Sequence, residues 1–320
     1  MNSNSTQDIK VFAHDAASAN VVLAYVYFNY NSEYYNITAY PTGPAINIFK
    51  KEMIHIAQIK DNDNYDFKVT DIVITGLSGV SSNYELEIIK IARKDKVAQI
   101  ISLLDVARSI DDRFLLNIED IEEFLPHRIL IPTDNLKVSK DKKINNLLEE
   151  YENPYWNYIY EKYYKTPPLI TNELIKGNIE NYIVFFTEYI KEQFGDTLGY
   201  DEFTIMSDFI DVFKNTNTPI FIKLHPSEKT NKYDAYIPIN SKIYVIKDEI
   251  STQEILYYSK VVFGCMTSVF YEALLLNKQC FSLQLNYKKD IFELTLENKI
   301  ERIGNKSKLV NIFKIITDGE

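Results

Sequence analysis

Cysteine is almost missing from this chain: of 320 residues, only Cys265 and Cys280 carry a thiol. Both sit in apolar runs, and their spacing matches no metal-ligand pattern. They are expected to be buried thiols of a reducing compartment rather than members of a disulfide framework. Positive charge is also in deficit. The net charge of −10 argues against broad nucleic-acid binding, which needs a basic surface, though not against a local pocket for one phosphate. No run approaches the roughly 18 continuous apolar residues of a membrane-spanning helix. The opening "MNSNSTQDIK" has no apolar core, so no signal peptide is expected. The only D-x-D-type triplet that follows a strand, Asp61-Asn62-Asp63, lies in the polar run "KDNDNYDFK", which reads as a surface turn, so no metal is expected. Glycine is scarce, with nine in all, yet Gly43, Gly76 and Gly79 follow strands in the first half. That placement points to close approach of a ligand to the backbone, or to ordinary turn chemistry.

Core-forming residues are plentiful by contrast. Apolar side chains make up 46% of the chain, enough for one large α/β domain or two of ordinary size. Two series of strand–helix alternation are legible. In the first, strands are expected at 9–14, 35–40, 71–76, 97–105 and 128–134, with helices at "SANVVLAYVYFNY" and 83–96. In the second, strands at 181–190, 219–226, 242–248, 260–265 and 279–284 alternate with helices at 200–215, 252–259 and 268–277. A last helix is expected at "SKLVNIFKIITD". Such alternation predicts parallel sheets. Residues 135–180 break the rhythm. They are charged and aromatic, end in Pro167-Pro168, and are expected to form a mostly helical connector with Trp156 packed against a domain. Ser251 followed by Glu254 predicts a capping box. No internal sequence repeat is found. The expected fold is α/β, with two doubly wound parallel-sheet domains facing a central cleft, and ligands where the strands end.

The strongest chemical signal lies in the second half. "FIKLHPSEK" ends a strand with Lys223, His225, Pro226, Ser227 and Glu228. Some forty residues on, "FGCMTSVFYEALLLNKQC" ends a strand and opens a helix through Gly264, Thr267 and Ser268. Free N–H groups at a helix start, joined by two hydroxyls, suit an anion such as phosphate. Lys223 is one alternation step from His225, so both are expected on one face. Glu272 lies one helical turn beyond Ser268, suited to accept the hydroxyl protons of a ribose. Singly, a Thr-Ser is an N-cap and a His-Pro a turn; their order and setting carry the signal.

This arrangement resembles the C-terminal half of two-domain glycosyltransferases of the GT-B fold, and in particular bacterial sialyltransferase-like enzymes with an His-Pro motif and a Ser/Thr pair. The resemblance spans about residues 181–284. It implies that His225, Thr267 and Ser268 hold the phosphate of a CMP-linked donor, with Glu272 beside the ribose. It places Thr187 and Glu188 near the donor base or sugar, before a loop at 191–200 holding Gly195 and Gly199. It also implies an acceptor-binding domain at 1–140, a helical interdomain segment at 141–180 and a donor-binding domain at 181–320. The acidic-acidic-Gly catalytic motif of those enzymes is absent: Asp111-Asp112 is followed by Arg113.

The base must therefore come from elsewhere, and "FAHDAASANVVLAYV" supplies a candidate. Asp15 stands at a strand end beside a helix N-terminus, which keeps a carboxylate ionised. It is either the base that takes the acceptor hydroxyl's proton or the cap of its own helix. His14 is its substitute or its orienter. The small residues Ala16, Ala17, Ser18 and Ala19 are expected to let a sugar approach. Ser18, Gly43, Gly76, Ser78, Glu85, Asp105 and Arg113 are the acceptor-binding candidates. His55 and His127 are expected to be structural.

The leading function is a metal-independent, inverting glycosyltransferase with no cofactor. Its expected partners are a CMP- or UDP-activated sugar, favoured as a CMP-nonulosonate, and an oligosaccharide or glycolipid acceptor of a bacterial surface glycan. A cytoplasmic site with peripheral contact at the inner membrane face is expected from the resemblance. The alternatives are a UDP-N-acetylglucosamine 2-epimerase-like enzyme, a teichoic-acid-type glycerophosphotransferase, and a non-catalytic nucleotide-sugar binding subunit.

Overall fold

Runs such as "KVFA" and "IVIT" place apolar residues at consecutive positions, as strands covered on both faces require. In the computed structural model, which describes residues 7–60, 65–78, 82–105, 110–115, 121–132 and 139–317, these runs build two sheets. The first contains β1 (Gln7–Ala13), β2 (Tyr35–Pro41), β3 (Gln58–Ile59), β4 (Ile72–Thr75), β5 (Gln99–Leu103), β6 (Arg128–Pro132) and β7 (Leu148–Tyr151). The second contains β8 (Ile183–Phe186), β9 (Ile220–Lys223), β10 (Ile243–Ile246), β11 (Val261–Gly264), β12 (Gln279–Leu283) and β13 (Glu301–Ile303). Their orders are β3-β2-β1-β4-β5-β6-β7 and β10-β9-β8-β11-β12-β13, and every neighbouring pair is parallel. Each sheet winds outward in both directions from its first strand. Each therefore has a topological switch point, between β1 and β4 and between β8 and β11, where open α/β sheets bind ligands.

The chain divides into two compact units, Met1–Tyr158 and Ile159–Glu320. In the first, Phe12 stacks on Tyr40 at 5.0 Å, and the helix Tyr84–Lys94 buries Leu86, Ile88, Ile89 and Ala92. In the second, Phe209 packs against Phe213, Phe185 and Phe263 at 4.5–5.3 Å. Each fully buried phenylalanine contributes about 1.5–3 kcal/mol. No helix among the described residues is long and apolar enough to cross a membrane.

Two local expectations are corrected. The connector is not mostly helical throughout: "LEEY" forms β7 at the edge of the first sheet. Its charges hid it, yet they suit an edge strand. Glu149 pairs with Arg128 of β6, and the Tyr151 hydroxyl donates to Leu104 O at 3.0 Å. The Ser251–Glu254 box is only half made. Ser251 accepts from Glu254 N, but the Glu254 carboxylate turns away to Thr171 N, Thr171 Oγ1 and Asn172 N at 2.6–3.1 Å. The reciprocal box forms instead at Asp201 and Thr204.

Candidate functional site

At the first switch point, β1 runs out through His14-Asp15 and β4 through Gly76, Leu77 and Ser78. Glu85, near the start of the helix Tyr84–Lys94, pins both loops. Its carboxylate is 1% exposed. Oε1 accepts from the Ser78 hydroxyl at 2.6 Å, from His14 N at 2.9 Å and from the Ser18 hydroxyl at 3.4 Å. Ser78 Oγ in turn accepts from Asp15 N at 3.2 Å. Glu85 Oε2 is buried and has no partner among the described residues. Burial lifts this carboxyl above the ordinary range, against the pull of the bonds from Ser78 and His14. Asp15 caps its helix, accepting from Ser18 N at 2.7 Å through Oδ1. The His14 ring lies with Nδ1 2.9 Å from Thr42 Oγ1.

Of the small residues, Ala16 and Ala17 are exposed and Ser18 and Ala19 buried, and the glycines here pack closely on protein. A Cβ on Gly76 would lie 2.3 Å from Ser18 Cβ, and one on Gly43, at φ +50°, would lie 2.7 Å from His14 Cε1. Ser18 and Ser78 are buried and spend their hydroxyls within the loops. Tight loop packing thus accounts for Gly43, Gly76, Ser18 and Ser78. Arg113 pairs with Asp105 at 2.7 Å and donates to Leu77 O, tying its helix to the β4 loop. Gly79 and Asp61-Asn62-Asp63 lie outside the described residues. His55 is exposed. His127 is structural, with Nδ1 accepting from Ile100 N at 3.0 Å.

At the second switch point, three adjacent strand ends converge. β8 leads into Thr187-Glu188-Tyr189, β9 into His225-Pro226, and β11 into the turn Cys265–Ser268. Glu188 Oε2 accepts from Met266 N at 2.7 Å and Cys265 N at 3.0 Å. Burial, with lesser repulsion from Glu228 and Glu202, pushes this carboxyl up to about 7 despite those two bonds. Gly264 lets the turn close: a Cβ there would meet Thr267 Cγ2 at 2.9 Å and Phe186 O at 3.2 Å. Thr267 Oγ1 accepts from Val269 N at 3.3 Å. Ser268 stands at the N-cap position, makes no capping bond with its side chain and is exposed.

The His225 ring lies edge-on to Tyr189, with centroids 4.7 Å apart. Its Nδ1 accepts from Ser227 N at 3.1 Å, so the proton of the neutral ring sits on Nε2. Burial holds its pKa below the ordinary histidine value. At neutral pH His225 is thus an uncharged donor through Nε2. Pro226 beside it is exposed.

Glu228, 5% exposed, underpins this loop. It accepts from Lys232 at 2.8 Å, from His225 N and Tyr233 OH at 2.9 Å, and from the Thr187 hydroxyl. Burial pulls its pKa up, but the bonds from Lys232, Thr187 and His225 outweigh it and hold the carboxyl below its ordinary value. Glu228 stood in "HPSEK", three residues after His225, and that spacing was its one sequence signal. Thr187 is buried and bonded inward, to Lys223 O and Glu228. Lys223 is likewise engaged within the protein. Its ammonium turns away to Lys247 O and to Ile250 O at 2.7 Å, and burial lowers its pKa. Glu272 accepts from Tyr164 OH, and burial raises its pKa against that bond.

No family model matches the chain, and no curated protein matches it. Solved structures do. The UDP-GlcNAc 2-epimerase from Methanocaldococcus jannaschii aligns with a TM-score of 0.59 at 13% identity, over 98% of this chain and 93% of the other. The S. aureus MnaA–UDP complex aligns with a TM-score of 0.61 at 11% identity, over 98% and 88%. CalG4, the calicheamicin glycosyltransferase, aligns at 0.52 and 7% identity, over 98% and 90%. At such identities the likeness shows the fold: two doubly wound parallel-sheet domains of the GT-B type.

Proposed function

We propose that this chain is a sugar-nucleotide enzyme, that its reaction is glycosyl transfer, and that its second unit holds the donor phosphate at the β8–β11 switch point. The observation that carries the proposal is the gathering of hydrogen-bond donors on adjacent strand ends: the amides Cys265 N and Met266 N, which already hold the Glu188 carboxylate, the exposed Ser268 hydroxyl and the Nε2–H of His225. Preorganised donors of this kind stabilise a leaving phosphate without calling for a metal. In the first unit Asp15 is the proposed base. It takes the acceptor hydroxyl's proton as that oxygen attacks the anomeric carbon. The bond from that carbon to the phosphate oxygen breaks, its electron pair leaves with the nucleotide, and the configuration inverts. The proposed donor is a CMP-linked nonulosonate and the acceptor a bacterial surface glycan, reached at the cytoplasmic face of the membrane.

A second reading is a UDP-N-acetylglucosamine 2-epimerase-type reaction, favoured by the whole-length likeness to the Methanocaldococcus jannaschii enzyme of that kind. Thermal shift across free CMP and UDP separates the donors. Protection by UDP alone overturns the CMP assignment. Incubation with UDP-N-acetylglucosamine, followed by NMR, then separates the chemistries: formation of the 2-epimer without an acceptor supports the second reading. Release of CMP from CMP-sialic acid supports the first. Nucleotide protection with no turnover of either sugar marks a binding subunit.

A further inference from the structure

The two amides best placed to receive a phosphate already hold an anion. Cys265 N and Met266 N are consecutive backbone donors, a concavity that binds anions, and Glu188 Oε2 sits in it at 3.0 and 2.7 Å. The carboxylate cannot simply be carried off with its backbone. Thr187 N donates to Lys223 O at 3.0 Å on one side of it, and Ile190 is 1% exposed on the other. An arriving phosphate therefore meets a residue whose backbone is held in place and whose negative charge would repel it.

The surroundings give one way out. The groups that face Glu188 are the buried thiol of Cys265, the phenol of Tyr200, and the carboxylates Glu202 and Glu228. Both of those carboxylates are already paired with Lys232, at 2.7 and 2.8 Å. His225 stands on the neighbouring strand end in its neutral form. The ammonium of Lys232 is thus committed, and protonation is the cheapest way for Glu188 to shed its charge. A protonated carboxyl beside a phosphate donates a strong, short hydrogen bond.

We propose that Glu188 is the resident acid of the phosphate site: it holds the Cys265 and Met266 amides until a nucleotide phosphate takes them, then stays beside that phosphate as a neutral acid and donates its O–H to it. The proton comes from solvent. The inference rests on the nucleotide-binding reading above and adds to it a proton taken up with the ligand.

The test is calorimetric titration of the full chain with CMP and UDP in buffers of differing ionisation enthalpy, between about pH 7 and about pH 8.5. In that window His225, already below its ordinary 6.5, and the secondary ionisation of a phosphate, near about 6, have finished titrating. The wild type, with Glu188 at about 7 before the nucleotide arrives, should take up about half a proton at about pH 7 and close to one at about pH 8.5, and its affinity should fall by up to about tenfold per pH unit towards the top of the window. Glu188→Gln retains an amide oxygen for the turn and an N–H for the phosphate, and it does not titrate. It should take up no proton, show a flat profile, and bind more than about tenfold tighter than wild type at the top of the window. Nucleotide binding with no proton uptake by the wild type overturns the inference and leaves the nucleotide reading standing, even if the variant does not fold. Absence of binding by either nucleotide at any pH overturns both.

Discussion

Ser78 donates its hydroxyl to Glu85 at 2.6 Å while the same oxygen accepts from the backbone amide of Asp15 at 3.2 Å. One hydroxyl thus links the buried carboxylate to the residue at the tip of the β1 loop. The link has a measurable electrostatic consequence. The folded chain holds Glu85 above its ordinary 4.5 through burial. Such a group binds its proton more tightly when folded, so its contribution is favourable at low pH and is lost as pH rises from about 4.5 through the folded value. Glu85→Gln removes that loss. The Tm of the variant relative to wild type should be higher at about pH 8 than at about pH 4. Melts at both ends of the range, giving an unchanged difference, would contradict the assignment.

Glu228 should behave with the opposite sign. Its folded pKa lies below 4.5, because bonds from Lys232, Thr187 and His225 N outweigh burial. Its contribution is therefore full above about 4.5 and lost as pH falls through the folded value. Glu228→Ala breaks a buried pair and leaves Lys232 facing Glu202 alone. A loss of about 3–5 kcal/mol is expected at neutral pH, shrinking in acid. Denaturant melts of both proteins at about pH 7 and about pH 3.5 measure this contraction.

Gly76 offers a packing test. Alanine there would bring two Cβ atoms to 2.3 Å, against Ser18, and overpacking of this kind costs about 1–3 kcal/mol. Ser18→Gly removes the opposing atom. The double variant should recover much of the Gly76→Ala loss, a coupling that a double-mutant cycle reads directly. Additive losses would show that the clash is relieved elsewhere.

Much of this architecture was legible because both sheets are parallel and covered on both faces. Stretches such as "IVIT" and "IVFF" then read as unbroken apolar runs. The connections were less so. β7 is short, charged and at an edge, so it carried no apolar signature. The site residues divide in the same way. That Asp15 and His225 follow strand ends and Ser268 starts a helix could be read from order alone. What Lys223, Thr187 and Ser18 do could not, since strand alternation says which face a side chain leaves from and not where its polar end goes. The Lys223 ammonium crosses to carbonyls 24 and 27 residues away in sequence. The Glu188 carboxylate finds amides 77 and 78 residues on. Such pairings are fixed by the strand order, which the sequence does not spell out.

Asp15 remains the sharpest choice, and its two roles come apart under substitution. As a cap it needs only a side-chain acceptor for Ser18 N, and asparagine supplies one as well as aspartate does. As a base it needs a carboxylate. Asp15→Asn should therefore keep the wild-type Tm within a degree or so, whereas Asp15→Ala should lose about 1 kcal/mol through the vacant cap. If Asp15 takes the acceptor's proton, transfer by the asparagine variant should fall by about 10²–10⁴-fold, with nucleotide affinity unchanged. Steady-state rates, melts and nucleotide titrations on the same three proteins settle it. Full activity in Asp15→Asn would leave Asp15 a cap alone and move the search for the base to another residue of the first unit.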